Sequence, residues 1–332
     1  MNAKTPICKQ LSVVISTRDR GSQVVSAAQS VLADHDCDLE VIVVDQSCST
    51  ATEEAVRRSA LADDPRFVYR RATTIGLSRG RNEGTRLAKG DIIAFTDDDC
   101  VVSPRWPSRI VEQFQRMPAL ALWFGAIVAP TDHADGWIFE FRPRAEGFLQ
   151  PPFDFTRSPG SGANYAVRRS VFARIGLLDE LLGAGEFLAS SEEIDFAYRT
   201  WRAALPVYVG REPVVIHYGA RQGREVRRLI AGYLLGIGGM AMKHVRAGDL
   251  HALRGLLREC GRHGREGTHQ LLQGHRPVSF RALLTLLHGA AGSFRYEVDR
   301  RHRLYRQPRA ERLSGSTVPH RLSEWIPEGP GR

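Results

Sequence analysis

Apolar runs alternate with segments of helical spacing through the first hundred residues. LSVVIST (11–17) and LEVIVVD (39–45) are rich in β-branched side chains, the pattern of strands buried on both faces. Between them, SQVVSAAQSVLA (22–33) sets Val24, Val25, Ala28, Val31 and Leu32 at helical spacing. STATEEAVRRSAL (49–61) predicts a helix with Ser or Thr as its cap and Glu in its first turn. RFVYRRA (66–72) predicts a third strand, SRGRNEGTRLAKG (78–90) a helix stopped by Gly90, and DIIAFTD (91–97) a fourth strand. Strands and helices joined by short links predict an α/β fold, with an open, mostly parallel sheet covered on both faces. Ligands of such sheets bind beyond the carboxyl ends of the strands.

The second half is less regular. ALALWFGAIVAP (119–130) reads as a strand or strand pair, and 131–160, rich in Pro, Gly and aromatics, as a long surface segment. GSGANYAVRRSVFARIG (160–176) runs from a glycine loop through a short strand into a helix. SSEEIDFAYRTWRAA (190–204) predicts a helix with acid in its first turn, and PVYVGREPVVIHYG (206–219) two short strands. From about 224 to 302 the pattern is helical and basic, and 303–332 reads as a loosely ordered tail.

Composition narrows the class. A content of 42% hydrophobic and 25% charged residues is ordinary for a globular protein. Charge is more informative: 46 Lys and Arg against 37 Asp and Glu leave +9. Residues 1–242 hold 29 basic and 29 acidic side chains, and 243–332 hold 17 and 8, so the whole excess sits in the last 90 residues. Five scattered cysteines without a CxxC pair predict reduced thiols in a cytoplasmic protein, not a disulfide framework or zinc site. The longest apolar candidate, YLLGIGGMAM (233–242), is about half of a membrane span. No helix-turn-helix, aromatic RNA-binding pattern or zinc module accompanies the positive charge, so nucleic acid is not an expected partner. The basic helices leave two readings: peripheral contact with the inner face of an anionic membrane, or a helical subdomain that covers a cleft or makes a homodimer contact.

The candidate chemistry lies at the strand ends. Asp19, Asp45 and the run Asp97, Asp98, Asp99 all fall at or just past predicted strand carboxyl ends. Three consecutive carboxylates repel one another, and no Lys or Arg stands beside them in the sequence. A divalent cation with oxygen ligands, Mn²⁺ or Mg²⁺, would offset that charge, and such ions are usually shared with substrate phosphates. GLSRGRNEG (76–84) brings Arg79, Arg81 and Asn82 to a helix start, a suitable anion site.

VVISTRDR, VIVVDQSCS, IGLSRGRNEG, GDIIAFTDDDC, SGANYAVRR and SSEEIDFAYR occur in this order over residues 10–220. Together they resemble glycosyltransferase family 2, with its GT-A fold and DxD motif. The resemblance implies a Rossmann-like, mostly parallel sheet with a helical C-terminal extension. It implies a GT-A domain over 1–222, with a nucleotide-binding half (10–100) and an acceptor half (101–222), then a helical subdomain (223–302). Position by position, it implies that Thr17, Arg18 and Asp19 hold the nucleoside and that Asp45 contacts the base. The usual Asp-Asp/Asn-Gly-Ser is here Asp45-Gln46-Ser47-Cys48. Arg79, Arg81 and Asn82 would lie against base and diphosphate, with Asp97 on the ribose side, Asp98 between, and Asp99 on the metal. Asp97 and His217 are further metal-side candidates. Gly162, Ala163 and Asn164 match the stretch that lines the floor near the donor sugar.

The implied reaction is inverting transfer of a sugar from a nucleotide-sugar donor, UDP-linked by preference and dTDP- or GDP-linked otherwise, to a hydroxyl acceptor. Its base falls on Glu193, where relatives carry Asp. Glu192 and Asp195 are rivals, and on a helix these two share a face while Glu193 points elsewhere. Two other classes compete: a GT-A-like binding protein without a base, and a nucleotidyltransferase. Trp123 and Trp137 read as core packing ahead of sugar stacking.

Overall fold

The structure, a computed structural model, describes residues 10–131, 136–154 and 158–308. It opens with β1 (Leu11–Thr17), α1 (Gly21–Leu32), β2 (Leu39–Asp45), α2 (Ala51–Arg57) and β3 (Phe67–Arg71). Next come α3 (Leu77–Leu87), β4 (Ile92–Asp97), β5 (Cys100–Val102) and α4 (Trp106–Arg116). These are followed by β6 (Leu122–Phe124), β7 (Ile127–Val128), β8 (Gly147–Phe148), β9 (Tyr165–Arg168) and α5 (Arg169–Ile175). The chain then forms α6 (Glu192–Arg202), β10 (Val207–Val209), β11 (Val215–His217) and the helices α7 (Arg224–Arg246), α8 (Leu250–Leu272) and α9 (Val278–Gly292). A hairpin of β12 (Glu297–Asp299) and β13 (Leu304–Arg306) closes the described chain.

The main sheet has the order β3-β2-β1-β4-β9-β6-β10-β8. β1 to β4 run parallel, β9 is antiparallel to β4 and β6, and β10 is parallel to β6. The expected α/β architecture is therefore present, with mixed pairing confined to the second half. A separate three-stranded sheet, β5-β11-β7, forms beside it.

Side-chain alternation explains how β1 is covered on both faces. Leu11, Val13 and Ile15 join Val24, Ala27, Ala28 and Val31 of α1 in one buried cluster. On the opposite face α3 lies so close that a Cβ at Gly84 would stand 2.3 Å from Val14 Cγ1, and one at Gly80 2.6 Å from Ser16 Oγ. The two glycines, one helical turn apart, let α3 seat directly on the strand. Gly90, expected to stop this helix, has a different role. The helix ends at Leu87, and a Cβ at Gly90 would stand 2.6 Å from Ser12 N, so the residue is small because β1 passes against it.

The chain forms two compact units. The first runs through Asp179 and from Glu192 to Ile230; the second takes Glu180–Ser191 and the residues from Ala231 onward. Within the second, α7 and α9 meet through glycine. A Cβ at Gly238 would stand 2.0 Å from Leu286 O, and one at Gly289 2.1 Å from Leu235 O. The β12–β13 hairpin is tied to these helices: Tyr305 Oη donates to Gly239 O at 2.6 Å, and Lys243 Nζ lies 5.2 Å from the Tyr305 ring centre. Arg303 donates to Asp249 at 2.6 Å, the residue that caps α8. Residues 303–308 of the expected tail are thus anchored, and 309–332 lie outside the described residues.

Candidate active site

Register brings the acids to one edge. Thr17 pairs with Asp45 across β1 and β2, and Ser16 with Asp97 across β1 and β4. After β4 the chain turns at once through Asp98 and Asp99 into β5. β5 pairs antiparallel with β11, and Cys100 faces His217 in that register. His217 is thereby delivered beside Asp99, with Nε2 3.4 Å from Oδ1. Donor atoms of Asp99, Cys100 and His217 all lie within 4.8 Å of one another. Gly219 passes directly against this group, since a Cβ there would stand 2.7 Å from Asp99 Oδ2 and 2.9 Å from His217 Nε2.

The repulsion within the acid run is offset by a cation that the local sequence does not show. Arg20, just past β1, donates through Nη1 to Asp98 Oδ1 at 2.9 Å and to Asp99 Oδ2 at 2.7 Å. Thr17 Oγ1 donates to Asp98 Oδ2 at 2.7 Å. Burial pushes the Asp98 carboxyl up to about 6 against the pull of Arg20 and Thr17. Burial also disfavours charge on Asp99, but His217 and Arg20 override it and hold this carboxyl well below the usual range.

A second cluster forms around Arg81, which is fully buried. Its Nη2 donates to Asp97 Oδ1 at 2.7 Å and to Gly162 O at 2.9 Å, and its Nη1 to Glu192 Oε1 at 2.9 Å. Burial disfavours the guanidinium charge, and the surrounding acids, Asp97 first, more than restore it. Tyr165, stacked on Phe95, lies beneath with the guanidinium carbon 5.8 Å from its ring centre. Glu193, half-buried, faces the same group of charges. Its carboxyl is raised to about 8, by burial and then by the neighbouring Glu192. Burial raises Glu192 as well, against the pull of Arg81.

Residues 12–176 match the model of glycosyl transferase family 2. Over that stretch the chain belongs to glycosyl transferase family 2. An uncharacterized glycosyltransferase of Haemophilus influenzae is 24% identical over 187 residues, 56% of this chain and 60% of the relative. A glucosyl-dolichyl phosphate glucuronosyltransferase of Haloferax volcanii is 26% identical over 188 residues, 52% of this chain and 57% of the relative. The aligned part thus spans less than two thirds of either relative. Among solved structures, a mannosyltransferase from Pyrobaculum calidifontis in complex with GDP-Man and Mn²⁺ superposes with a TM-score of 0.59 at 16% identity. That match covers 87% of this chain and 88% of the other. Residues 1–349 of S. aureus TarS give a TM-score of 0.50 at 15% identity, covering 70% and 69%. These likenesses show the fold, a GT-A arrangement with a helical C-terminal region.

Other candidate residues of the family 2 domain are engaged away from the acid turn. Asp45 is fully buried and accepts from Tyr69 Oη at 2.6 Å and from Ser47 N at 2.8 Å. Asn82 is buried and clamps Leu178, donating to its carbonyl and accepting from its N–H, each at 3.0 Å. Asn164, also buried, accepts from Trp106 Nε1 at 3.0 Å and donates to Ala126 O and Pro213 O at 2.8 and 3.1 Å. Ala163 is buried beside it, and Gly162 meets the cluster through its carbonyl. Asp195 lies at the base of α6 in a 2.8 Å pair with Arg199, which also donates to Ile175 O and Leu177 O. Glu192 and Asp195, though one turn apart, therefore serve different partners. Arg18 and Asp19 line the loop after β1 with about half of each side chain exposed, 48% and 54%. Arg79 is half-buried near the start of α3. Trp123 is fully buried, as core packing requires, whereas Trp137 is exposed and meets the edge of Phe139, so the expected core role fails there.

Sequence reasoning missed Arg20, Tyr165 and Gly219. Arg20 gave little signal: it stands in the loop after β1, and only the strand order, which sets β1 next to β4, brings it to the acids. Tyr165 and Gly219 gave none, since their positions depend on the β9 and β11 pairings.

Proposed function

We propose that this chain transfers a glycosyl group from a nucleoside-diphosphate sugar to a hydroxyl acceptor with inversion, and that it requires a divalent ion. The carrying observation is the convergence of Asp99 and His217, with Gly219 packed against both, at the carboxyl edge of the parallel strands. The donor set suits Mn²⁺ or Mg²⁺: an ionised carboxylate and one imidazole, the remaining positions to be filled by phosphate oxygens or water. Burial keeps the Cys100 thiol protonated, its pKa raised well above the ordinary value, which makes it a poor ligand for a hard ion. When bound, the ion would neutralise charge on the departing diphosphate.

Glu193 is the favoured general base. Glu192 is held by Arg81 and Asp195 by Arg199, which leaves Glu193 as the acid of α6 able to accept a proton. A carboxyl raised to about 8 suits proton abstraction near neutral pH. In the transfer, the acceptor oxygen bonds to the anomeric carbon as the carbon–oxygen bond to phosphate breaks. The nucleoside diphosphate leaves with that electron pair, and the acceptor's proton passes to Glu193. Asp97 and Thr17 would meet the ribose side of the donor, with exposed Arg18 and Asp19 and half-buried Arg79 as further contacts. Two solved neighbours carry GDP-Man and UDP respectively, so the base is left to experiment.

The test is a thermal-shift panel of UDP, GDP and dTDP with and without Mn²⁺, run on the native chain, Asp99→Asn and Glu193→Gln. One nucleotide should stabilise the native chain only with Mn²⁺. Asp99→Asn should lose that shift, and Glu193→Gln should keep it while turnover disappears. An unchanged Mn²⁺-dependent shift in Asp99→Asn would sink the metal assignment.

A further inference from the structure

The second unit carries an apolar surface that the proposed reaction does not use. Leu271 and Leu272, at the end of α8, are 52% and 82% exposed. Val278, which opens α9 after a short turn, is 58% exposed. Leu284 and Leu287 follow along α9 at 66% and 44%, and Phe294 beyond it at 65%. α9 is two-sided: Leu286, Gly289 and Ala290 are buried, while the positions between them face outward. Burying large apolar side chains is the usual outcome of folding, and an exposed run of this kind marks an interaction surface.

Charge identifies the partner. From Gly267 to Tyr296 the chain contains no Asp or Glu. Arg276 sits at the hairpin tip among Leu271, Leu272 and Val278, and Arg281 lies on α9, both of them exposed. Two copies of this face would oppose like charges with no acid from either stretch to pair them. An anionic surface complements them. Among the described residues no helix is long and apolar enough to cross a membrane, so contact would be with the interface alone.

We propose that the α8–α9 hairpin tip and the outer face of α9 dock on an anionic lipid bilayer, the leucines entering the headgroup layer and the arginines meeting lipid phosphates. The proposal stands independently of the transfer reaction.

Vesicle sedimentation of the full chain tests it, with phosphatidylcholine vesicles and with vesicles containing about one third phosphatidylglycerol. The native chain should sediment with the anionic vesicles, less so at high salt, and remain in solution with the neutral ones. Leu272→Asp combined with Val278→Asp should lower the apparent affinity by about tenfold or more. Arg276→Gln with Arg281→Gln should weaken anionic binding on a surface that keeps its leucines. Unchanged far-UV circular dichroism and melting would establish that the variants fold. Equal sedimentation with neutral vesicles, no sedimentation at all, or retention by both variants would overturn the proposal. So would a dimer, seen by analytical ultracentrifugation, that the Asp variants dissociate.

Discussion

A divalent ion bound at Asp99, as proposed, would compete with the guanidinium of Arg20 for the same oxygens. In the structure Arg20 bridges Asp98 and Asp99 from a side chain that is 39% exposed, so it can leave without breaking the core. Arg20→Ala should therefore tighten Mn²⁺ binding severalfold in the absence of nucleotide, read by electron paramagnetic resonance of free Mn²⁺. Weaker binding would mean that Arg20 helps to build the ion site. Glu193 gives a prediction in pH. Its folded pKa, about 8, lies above the ordinary value of 4.5, so the folded state binds the proton more tightly than the unfolded one. The associated stability is fully present below about pH 4.5 and is lost as pH rises toward 8. Glu193→Gln should accordingly melt higher than the native chain at pH 8 and match it near pH 4, the opposite of what loss of a structural ion pair would give. In activity the sign reverses, because the base works when ionised: kcat/KM should rise with pH up to about 8.

Elements differ in how openly the sequence announces them. β1, β2 and β4 were legible because strands buried on both faces must be apolar throughout, and the acids at their ends were legible as a break in that pattern. The two charge clusters were not. Arg20 stands 79 residues from Asp99 and Arg81 stands 111 from Glu192, and only strand order and the antiparallel return of β9 and β11 bring such groups together. Six motifs carry the family resemblance, yet within them Asn82 and Asn164 clamp backbone, a use that spacing cannot reveal. Glycine misled in the same way. Gly90 reads as a helix stop, whereas its neighbour in space is β1. Gly238 shows the reverse, a residue that looks like a weakness in a helix and is required by its partner. A methyl group there would stand 2.0 Å from Leu286 O, which is backbone and cannot rotate aside. Gly238→Ala should cost about 1–3 kcal/mol by overpacking, despite the higher helix propensity of Ala, and guanidinium denaturation would measure it.

On the scale of the molecule, Arg81 ties the fold of the first unit to the proposed site. One side chain joins α3, β4, the loop before β9 and α6, and satisfies a carboxylate at Asp97, another at Glu192 and the carbonyl of Gly162. Buried ion pairs add little net stability when formed, because each charge must be desolvated, but breaking one strands its partners in a medium that solvates them poorly. Arg81→Ala should therefore cost about 3–5 kcal/mol, well beyond the loss of packing at an ordinary surface site. Arg81→Lys should recover only part of it, since an ammonium cannot reproduce the planar fork that serves three acceptors. If stranded charge is the cause, adding Asp97→Asn and Glu192→Gln to Arg81→Ala should restore stability while activity stays lost. Equal destabilisation with and without those two changes would mean that Arg81 acts through packing, and the coupling between fold and site would then rest on volume and not on charge.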